Sequence, residues 1–154
     1  MRLPFVVLVL VSAHLAIAQE NAFRRSLAFV GCYELRVPVA HPSRTKGTDP
    51  LLPRRFELTI RPSTIKGTFV ARNLDSKAGD SSLMSWMSSW NANLDGTLHI
   101  VWNTGYAGYD LRLSGSGAEF RGTAHFFTDT EPFPYTDRNT PVVAQRVACK
   151  ESGK

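Results

Sequence analysis

The fold is decided by the stretch from Leu98 to Phe127, which reads LHIVWNTGYAGYDLRLSGSGAEFRGTAHFF. Apolar residues occupy alternate positions in three successive segments of this stretch, and the turn-forming runs at 103–105 and 114–117 separate the segments. Alternation with a period of two places every second side chain on the same face of an extended strand. The stretch therefore predicts three consecutive antiparallel strands joined by short turns.

The same alternation continues through most of the chain on both sides of this stretch. It predicts an all-β protein of eight strands. The fifth of these strands begins at Leu98, after a predicted hairpin turn at Asn93–Gly96. The other seven strands cover residues 28–37, 55–61, 66–72, 83–90, 106–113, 119–127 and 142–149. Two long proline-bearing loops, Pro38–Pro53 and Asp129–Pro141, interrupt the pattern. The side chains predicted to face inward are Phe29, Gly31, Tyr33, Leu35, Val37, Phe56, Leu58, Ile60, Leu98, Ile100, Trp102, Tyr109, Leu111, Leu113, Phe120, Gly122, Ala124 and Phe126.

Segment 83–90 is ambiguous, because its apolar residues fit two periods. Leu83, Met87 and Trp90 would form a helical stripe, whereas Met84, Trp86 and Trp90 would share one face of a strand. We adopt the strand.

The N-terminus has the three parts of an export signal. Arg2 provides a positive charge, the run from Leu3 to Val11 is apolar, and Ala16-Ile17-Ala18 is a small-x-small cleavage site. The apolar run is shorter than the roughly 20 residues that a membrane-spanning helix needs. We therefore predict a secreted or periplasmic protein without a transmembrane segment, in which residues 1–18 are a signal peptide, 19–27 a lead-in, 28–150 the β-barrel domain and 151–154 a C-terminal tail.

The two cysteines of an exported chain can form one internal disulfide, between Cys32 and Cys149. This bond requires the first and last strands to lie within about 7 Å of each other. Eight consecutive strands with joined ends most simply close into an antiparallel up-and-down barrel.

Two registers remain open for the first and last strands. If the two cysteines lie directly opposite each other, Tyr33 and Arg146 share the inner face and sit diagonally, and the guanidinium can stack on the ring. In the alternative register, Val143 and Val147 point inward and Arg146 points to solvent.

The beginning and the end of the chain resemble the lipocalins and the wider calycin barrels. Gly31-Cys32-Tyr33-Glu34 resembles the Gly-x-Trp opening of those proteins, and Arg146 resembles the arginine that packs across that aromatic. The sequence departs from the family pattern by having Tyr33 in place of tryptophan, and it ends five residues after Cys149, without the usual C-terminal helix. The resemblance implies a small apolar ligand.

The chain is also similar to small exported bacterial proteins of unknown function. The likeness rests on the motifs Gly31-Cys32-Tyr33, Trp102-Asn103-Thr104-Gly105, Leu111-Arg112-Leu113, Phe120-x-Gly122-x-Ala124 and Arg146-Val147-x-Cys149. It implies no particular activity.

The charge pattern argues against a nucleic-acid partner. The chain has 18 Lys and Arg against 13 Asp and Glu, a formal net charge of +5. Basic residues do not interleave with aromatic residues, as nucleic-acid binding would favour. Acids and bases instead alternate along the predicted strands, which predicts solvated faces with cross-strand ion pairs.

No motif indicates catalysis, a metal or a cofactor. The three histidines that follow the signal peptide, His41, His99 and His125, lack the spacing of a zinc site. The run Ser114–Gly117 is typical of a turn rather than of a nucleophile elbow. We therefore predict that the protein is not an enzyme, and we predict no cofactor.

The aromatic residues supply the candidate binding site. An eight-stranded barrel can hold one small ligand, and glycine or alanine on an inner face, as at Gly31, Gly122 and Ala124, could leave room for it. The same residues could equally mark strand bends or close packing. The sequence thus predicts a binding protein for a small apolar or amphipathic molecule. The alternative is an envelope or extracellular protein-interaction module, in which the barrel is filled and the two long loops recognise a protein partner. The predicted ligand contacts are Tyr33, Trp86, Trp90, Trp102, Tyr109 and Arg146.

Overall fold

The protein forms a closed barrel of eight antiparallel strands in the computed structural model, which describes residues 23–37, 52–75, 88–103, 105, 107–128 and 139–149. Each strand pairs with the next along the chain, and the last pairs with the first. The predicted fold class is therefore confirmed. The strands are β1 Gly31–Arg36, β2 Arg55–Pro62, β3 Phe69–Asn73, β4 Ser89–Ala92, β5 Leu98–Asn103, β6 Ala107–Ser116, β7 Glu119–Thr128 and β8 Asn139–Val147.

The two ends of the barrel differ. At one end, which we call the closed end, lie the turns at 63–68, 93–97 and 117–118 and a short helix that includes residues 23–27. At the other, the loop end, lie the connections β1–β2, β3–β4, β5–β6 and β7–β8, which fall largely outside the described residues. The predicted signal peptide and most of the two long loops also lie outside them.

Alternation along the strands produces the core. In β5, for example, Leu98, Ile100 and Trp102 are fully buried, while the residues between them are partly exposed. β6 repeats the pattern with Tyr109, Leu111 and Leu113. Because the sheet closes on itself, the inward-facing side chains of the strands pack together in one core. Burial of these side chains supplies the main stabilisation of the fold.

Ile60 does not follow the predicted inward pattern, since it is 47% exposed. The ladder between β2 and β3 is irregular between Leu58 and Pro62. An irregularity of this kind interrupts the alternation of side chains between the two faces of a strand. β2 therefore leaves the core before it reaches the closed end.

Several predicted boundaries also shift, including the start of β1, at Gly31 instead of residue 28, the start of β3, at Phe69 instead of residue 66, and those of β6 and β8. β6 continues to Ser116, which pairs with Glu119, so the β6–β7 turn consists of Gly117 and Ala118 rather than 114–117. Gly117 has φ +71°, a conformation that suits a tight hairpin turn. β8 begins at Asn139, inside the predicted loop, because seven of its residues pair with β7.

β4 is displaced from the predicted segment 83–90. It spans Ser89–Ala92 and pairs with β5 through the Asn93–Gly96 turn, as expected of a hairpin. Met84, Trp86 and Met87 lie outside the described residues, so the choice between strand and helix there stays a prediction.

The disulfide between Cys32 and Cys149 joins the two ends of the sheet, with a Cα–Cα distance of 5.2 Å. Neither of the two registers left open by the sequence is the observed one. Cys32 pairs with Val147, two residues away from the register with the cysteines opposite each other, and Arg146 shares a face with Tyr33, unlike in the alternative. Cys149 lies beyond the end of β8, where the chain bends back toward β1. Tyr33 and Arg146 are consequently direct cross-strand partners instead of diagonal neighbours.

Candidate ligand-binding site

A column of aromatic rings fills much of the barrel interior. Starting from the closed end, neighbouring ring centroids are 5.5 Å apart for Phe29 and Phe120, 6.0 Å for Phe120 and Tyr33, 5.3 Å for Tyr33 and Phe56, and 5.6 Å for Phe56 and Trp102. The last four of these rings are at most 3% exposed. Centroid distances of 4.5–7 Å are those of favourable aromatic pairs. The column therefore runs without a break from the closed end into the half of the barrel nearer the loop end.

The described members of the predicted ligand contacts lie at different levels along the barrel. Tyr33 and Trp90 lie toward the closed end, where Trp90 packs on Phe69 with centroids 5.3 Å apart. Trp102 and Tyr109 are cross-strand partners nearer the loop end. Trp86 lies outside the described residues.

The polar atoms of the three buried aromatics Tyr33, Trp90 and Trp102 are not equally satisfied. The hydroxyl of Tyr33 donates to the Phe29 carbonyl at 2.7 Å, and the indole N–H of Trp90 donates to the Thr59 carbonyl at 2.9 Å. Among the described residues, the indole N–H of Trp102 is buried without a hydrogen-bond partner. An unpaired buried donor costs about 1–3 kcal/mol, and an N–H···π contact would recover only part of that.

The glycines expected to leave room for a ligand do not do so. The guanidinium of Arg146 occupies the space beside Gly31, where a Cβ atom would lie 3.1 Å from Nε and from Nη2. A Cβ on Gly122 would collide with the carbonyl oxygen of Arg112 on β6. Both glycines thus allow close packing. Phe56, Leu58 and Trp102 have no exposed surface, so no ligand-sized cavity borders these three side chains.

Partly buried apolar side chains lie where the loop end meets the core. Val37, Leu52 and Phe126 are in this position and pack against the buried cluster. Phe126 meets Tyr109 edge to face, with ring centroids 5.2 Å apart. These side chains form an apolar rim, which is packed less completely than the column beneath it.

Arg146 lies near the end of β8 at the closed end of the barrel. Its guanidinium lies 5.8 Å from the centroid of the Tyr33 ring and donates to the carbonyls of Ala28 and Val30. Burial raises the pKa of the Tyr33 hydroxyl, and the positive charge of Arg146 acts in the opposite direction. Both carbonyl acceptors belong to the N-terminal segment, so Arg146 links this segment to β8. We infer no ligand contact for Arg146.

The outer wall carries a polar row that the sequence analysis did not predict. Nε2 of His99 lies 2.8 Å from Oδ1 of Asp110, and Nδ1 of His125 lies 3.0 Å from Oδ1 of Asn139. Asp110 and His125 are direct cross-strand partners. The alternation along β5, β6 and β7 already indicated that His99, Asp110 and His125 face outward. Which side chains pair could be identified only once the register was known.

The ion pairs differ from the prediction as well. Glu34 with Arg36, Asp110 with Arg112, and Glu119 with Arg121 each pair along one strand, at 3.6, 3.7 and 2.7 Å. A cross-strand pair joins Glu57 and Arg72 at 2.7 Å. Residues two apart on a strand share a face, so a long arginine can fold back to reach its own neighbour.

Three potential metal-ligand atoms, from Cys32, Cys149 and Glu57, lie within 4.8 Å of one another. Both sulfurs belong to the disulfide. Thiolates, not disulfide sulfurs, bind metal, so the oxidised protein does not offer this group as a metal site.

Comparisons with known proteins identify no relative. No family model matches the chain, and no curated protein and no solved structure shows significant similarity to it. Within the described ranges, no helix has both the length and the apolar character needed to cross a bilayer.

Proposed function

We propose that the protein binds a small, largely apolar molecule carrying a hydrogen-bond acceptor, at the loop end of the barrel. The observation that supports this proposal most directly is the buried indole N–H of Trp102, which has no hydrogen-bond partner among the described residues. An acceptor oxygen on the ligand would satisfy that donor, and the ring of Tyr109 would offer apolar surface beside it. The lipocalin-like opening and the export signal remain in agreement with such a role.

Because Trp102 is fully buried, a ligand can reach its N–H only if side chains at the loop end move. The half-buried rim residues Val37, Leu52 and Phe126 are the best candidates for this movement, since they have less burial to lose. Binding is then coupled to local rearrangement, and the closed half of the barrel stays packed.

The test uses two matched tryptophan substitutions. Trp102→Phe keeps an aromatic ring but removes the unpaired N–H, whereas Trp90→Phe removes an N–H that is bonded to Thr59. We expect Trp102→Phe to weaken dodecanoate binding about five- to tenfold, since one hydrogen bond contributes about 1 kcal/mol. Both substitutions shorten a fully buried side chain and lower stability by a similar packing cost. Trp90→Phe should lower stability by about 1 kcal/mol more than Trp102→Phe, because it also breaks a hydrogen bond, and it should leave dodecanoate affinity unchanged.

Titration calorimetry and urea unfolding of the three proteins measure both quantities. Dodecanoate is a probe of the ligand class, so hexadecanol and a sterol would be titrated beside it. Equal affinities of the wild type and Trp102→Phe for every probe that binds would reject the assigned hydrogen bond. Failure of all three probes to bind would reject the small-ligand function.

A second candidate is a protein-interaction module with a filled barrel. The packed column of rings favours it, because a filled interior needs no ligand to complete it. Deletion of residues 43–49 tests this candidate. If the deletion abolishes capture of an envelope protein, and substitutions of Trp102 and of Tyr109 leave the affinity for every probe unchanged, this function replaces the first.

A further inference from the structure

The exposed large apolar side chains of the described residues all lie at the closed end. Leu94, in the β4–β5 turn, is 82% exposed, and the other four are between 43% and 48% exposed. These four are Phe23 and Leu27 in the N-terminal helix, Ile60 near the end of β2, and Ile65 in the β2–β3 turn. Single exposed apolar residues are common on soluble proteins, but a set confined to one end marks an interaction surface.

Direct contacts bring the helix and the two turns together. The ring of Phe23 lies 6.1 Å from that of Phe69, which begins β3 directly after the turn at 63–68. Nη1 of Arg25 donates to the Leu94 carbonyl at 3.3 Å. The helix therefore bridges the β2–β3 and β4–β5 turns, and we call these three segments, together with Ile60 and Arg61 at the end of β2, the closed-end tip.

The closed-end tip is also basic. Arg24 and Arg25 lie in the helix, and Arg61 and Lys66 lie beside Ile60 and Ile65. Asp95 is the acidic residue of the same segments in the described part of the chain, and its carboxylate accepts hydrogen bonds from Thr97 within its own turn. Apolar side chains at exposed tips with cations around them match the surface of a bilayer that contains anionic lipids.

We propose that the closed-end tip docks on an anionic lipid surface, with Leu94 and Ile65 entering the headgroup region and the basic residues contacting lipid phosphates. A second copy of this chain is a poorer occupant, because a two-fold interface would place one basic tip against another. The site lies at the opposite end of the barrel from the proposed ligand site, so the loop end remains accessible while the protein is docked.

Sedimentation with vesicles tests the proposal. Vesicles of three parts phosphatidylcholine to one part phosphatidylglycerol should bind the wild type, and vesicles of phosphatidylcholine alone should bind it much less. The double variant Ile65→Ser/Leu94→Ser should bind the mixed vesicles at least about tenfold more weakly, because two apolar side chains no longer leave water. Both residues lie on turns, so this variant should keep the thermal unfolding midpoint of the wild type.

A charge-matched pair of variants separates docking by the tip from general attraction to anions. Arg61→Glu/Lys66→Glu changes the tip, and Arg36→Glu/Arg112→Glu makes the same change in net charge at exposed positions away from it. We expect the first variant to lose at least about fivefold in vesicle affinity per cation, and the second to lose much less. Equal losses in the two variants would overturn the proposal. So would the absence of wild-type binding, equal binding to neutral vesicles, or self-association that the Ile65→Ser/Leu94→Ser variant abolishes.

Discussion

Replacement of Arg146 by methionine should weaken the attachment of the N-terminal segment to the barrel and lower the stability of the protein. Methionine keeps an unbranched apolar stem but loses both hydrogen bonds to the carbonyls of Ala28 and Val30, and the contact with the Tyr33 ring. Hydrogen bonds from a charged donor contribute about 1.5–3 kcal/mol each, and an exposed cation–π contact about 0.5–1 kcal/mol. Arg146 is exposed to solvent, which weakens these interactions. We therefore take values near or below the lower limits and expect the free energy of unfolding to fall by about 2–3 kcal/mol in total.

Urea unfolding under oxidising conditions measures this loss. With a slope of about 1–3 kcal/mol per M for a small protein, the midpoint should fall by about 0.7–3 M. Arg121→Met is the matched control, because Arg121 is an exposed barrel arginine with an ion pair to Glu119 at 2.7 Å and should lose less than about 1 kcal/mol. Arg146→Lys, which keeps the charge, should fall between the two. Equal midpoints for Arg146→Met and Arg121→Met would refute the assigned role of Arg146.

Three further changes test the closure, the titration and the packing of the barrel. Cys149→Ser opens a covalent loop with a sequence separation of 117, which should cost about 5 kcal/mol in the chain-entropy model; an unchanged urea midpoint would contradict closure by the disulfide. Tyr33 has a pKa above its usual 10.0 in the folded protein, so its contribution to stability is complete below pH 10 and is lost as the pH rises through the folded pKa. Tyr33→Phe lacks that titration, and its stability deficit relative to the wild type should therefore shrink above pH 10, whereas a constant deficit would count against the assigned shift. Gly122→Ala should lower stability by more than about 2 kcal/mol, because the new methyl group meets the Arg112 backbone, while Thr123→Ala on the outer face should change it by less than about 0.5 kcal/mol.

The closed barrel could be predicted from the sequence because alternation reports directly which face of a strand is buried. Leu111 and Leu113 alternate with Asp110 and Arg112, and no other arrangement of an extended strand buries the first pair and solvates the second. Strand ends were predicted less well. Ser114 and Ser116 are typical turn residues, but pairing with β7 extends β6 through them, so a long-range partner overrides the local preference.

The register of β1 and β8 shows a different limit. The disulfide fixes the distance between Cys32 and Cys149 but not whether both cysteines lie within paired strands. Cys149 lies past the end of β8, which shifts the pairing by two residues while leaving the same face inward. Tyr33 and Arg146 therefore share a face, as in the first of the two registers that the sequence left open, but they are direct cross-strand partners and not diagonal neighbours.

The packing of the interior decides where a ligand can bind with useful affinity. A molecule placed inside the closed half would have to displace a ring such as Phe120 or Tyr33, and loss of a buried aromatic side chain typically costs about 3–5 kcal/mol. That amount would offset about half of the 8 kcal/mol that corresponds to a micromolar dissociation constant. The rim residues Val37, Leu52 and Phe126 are already partly solvated, so moving them costs less, and the same ligand gains a partner for the Trp102 N–H. The energetics therefore favour the loop end over the centre of the barrel, although the sequence alone made the whole interior equally plausible.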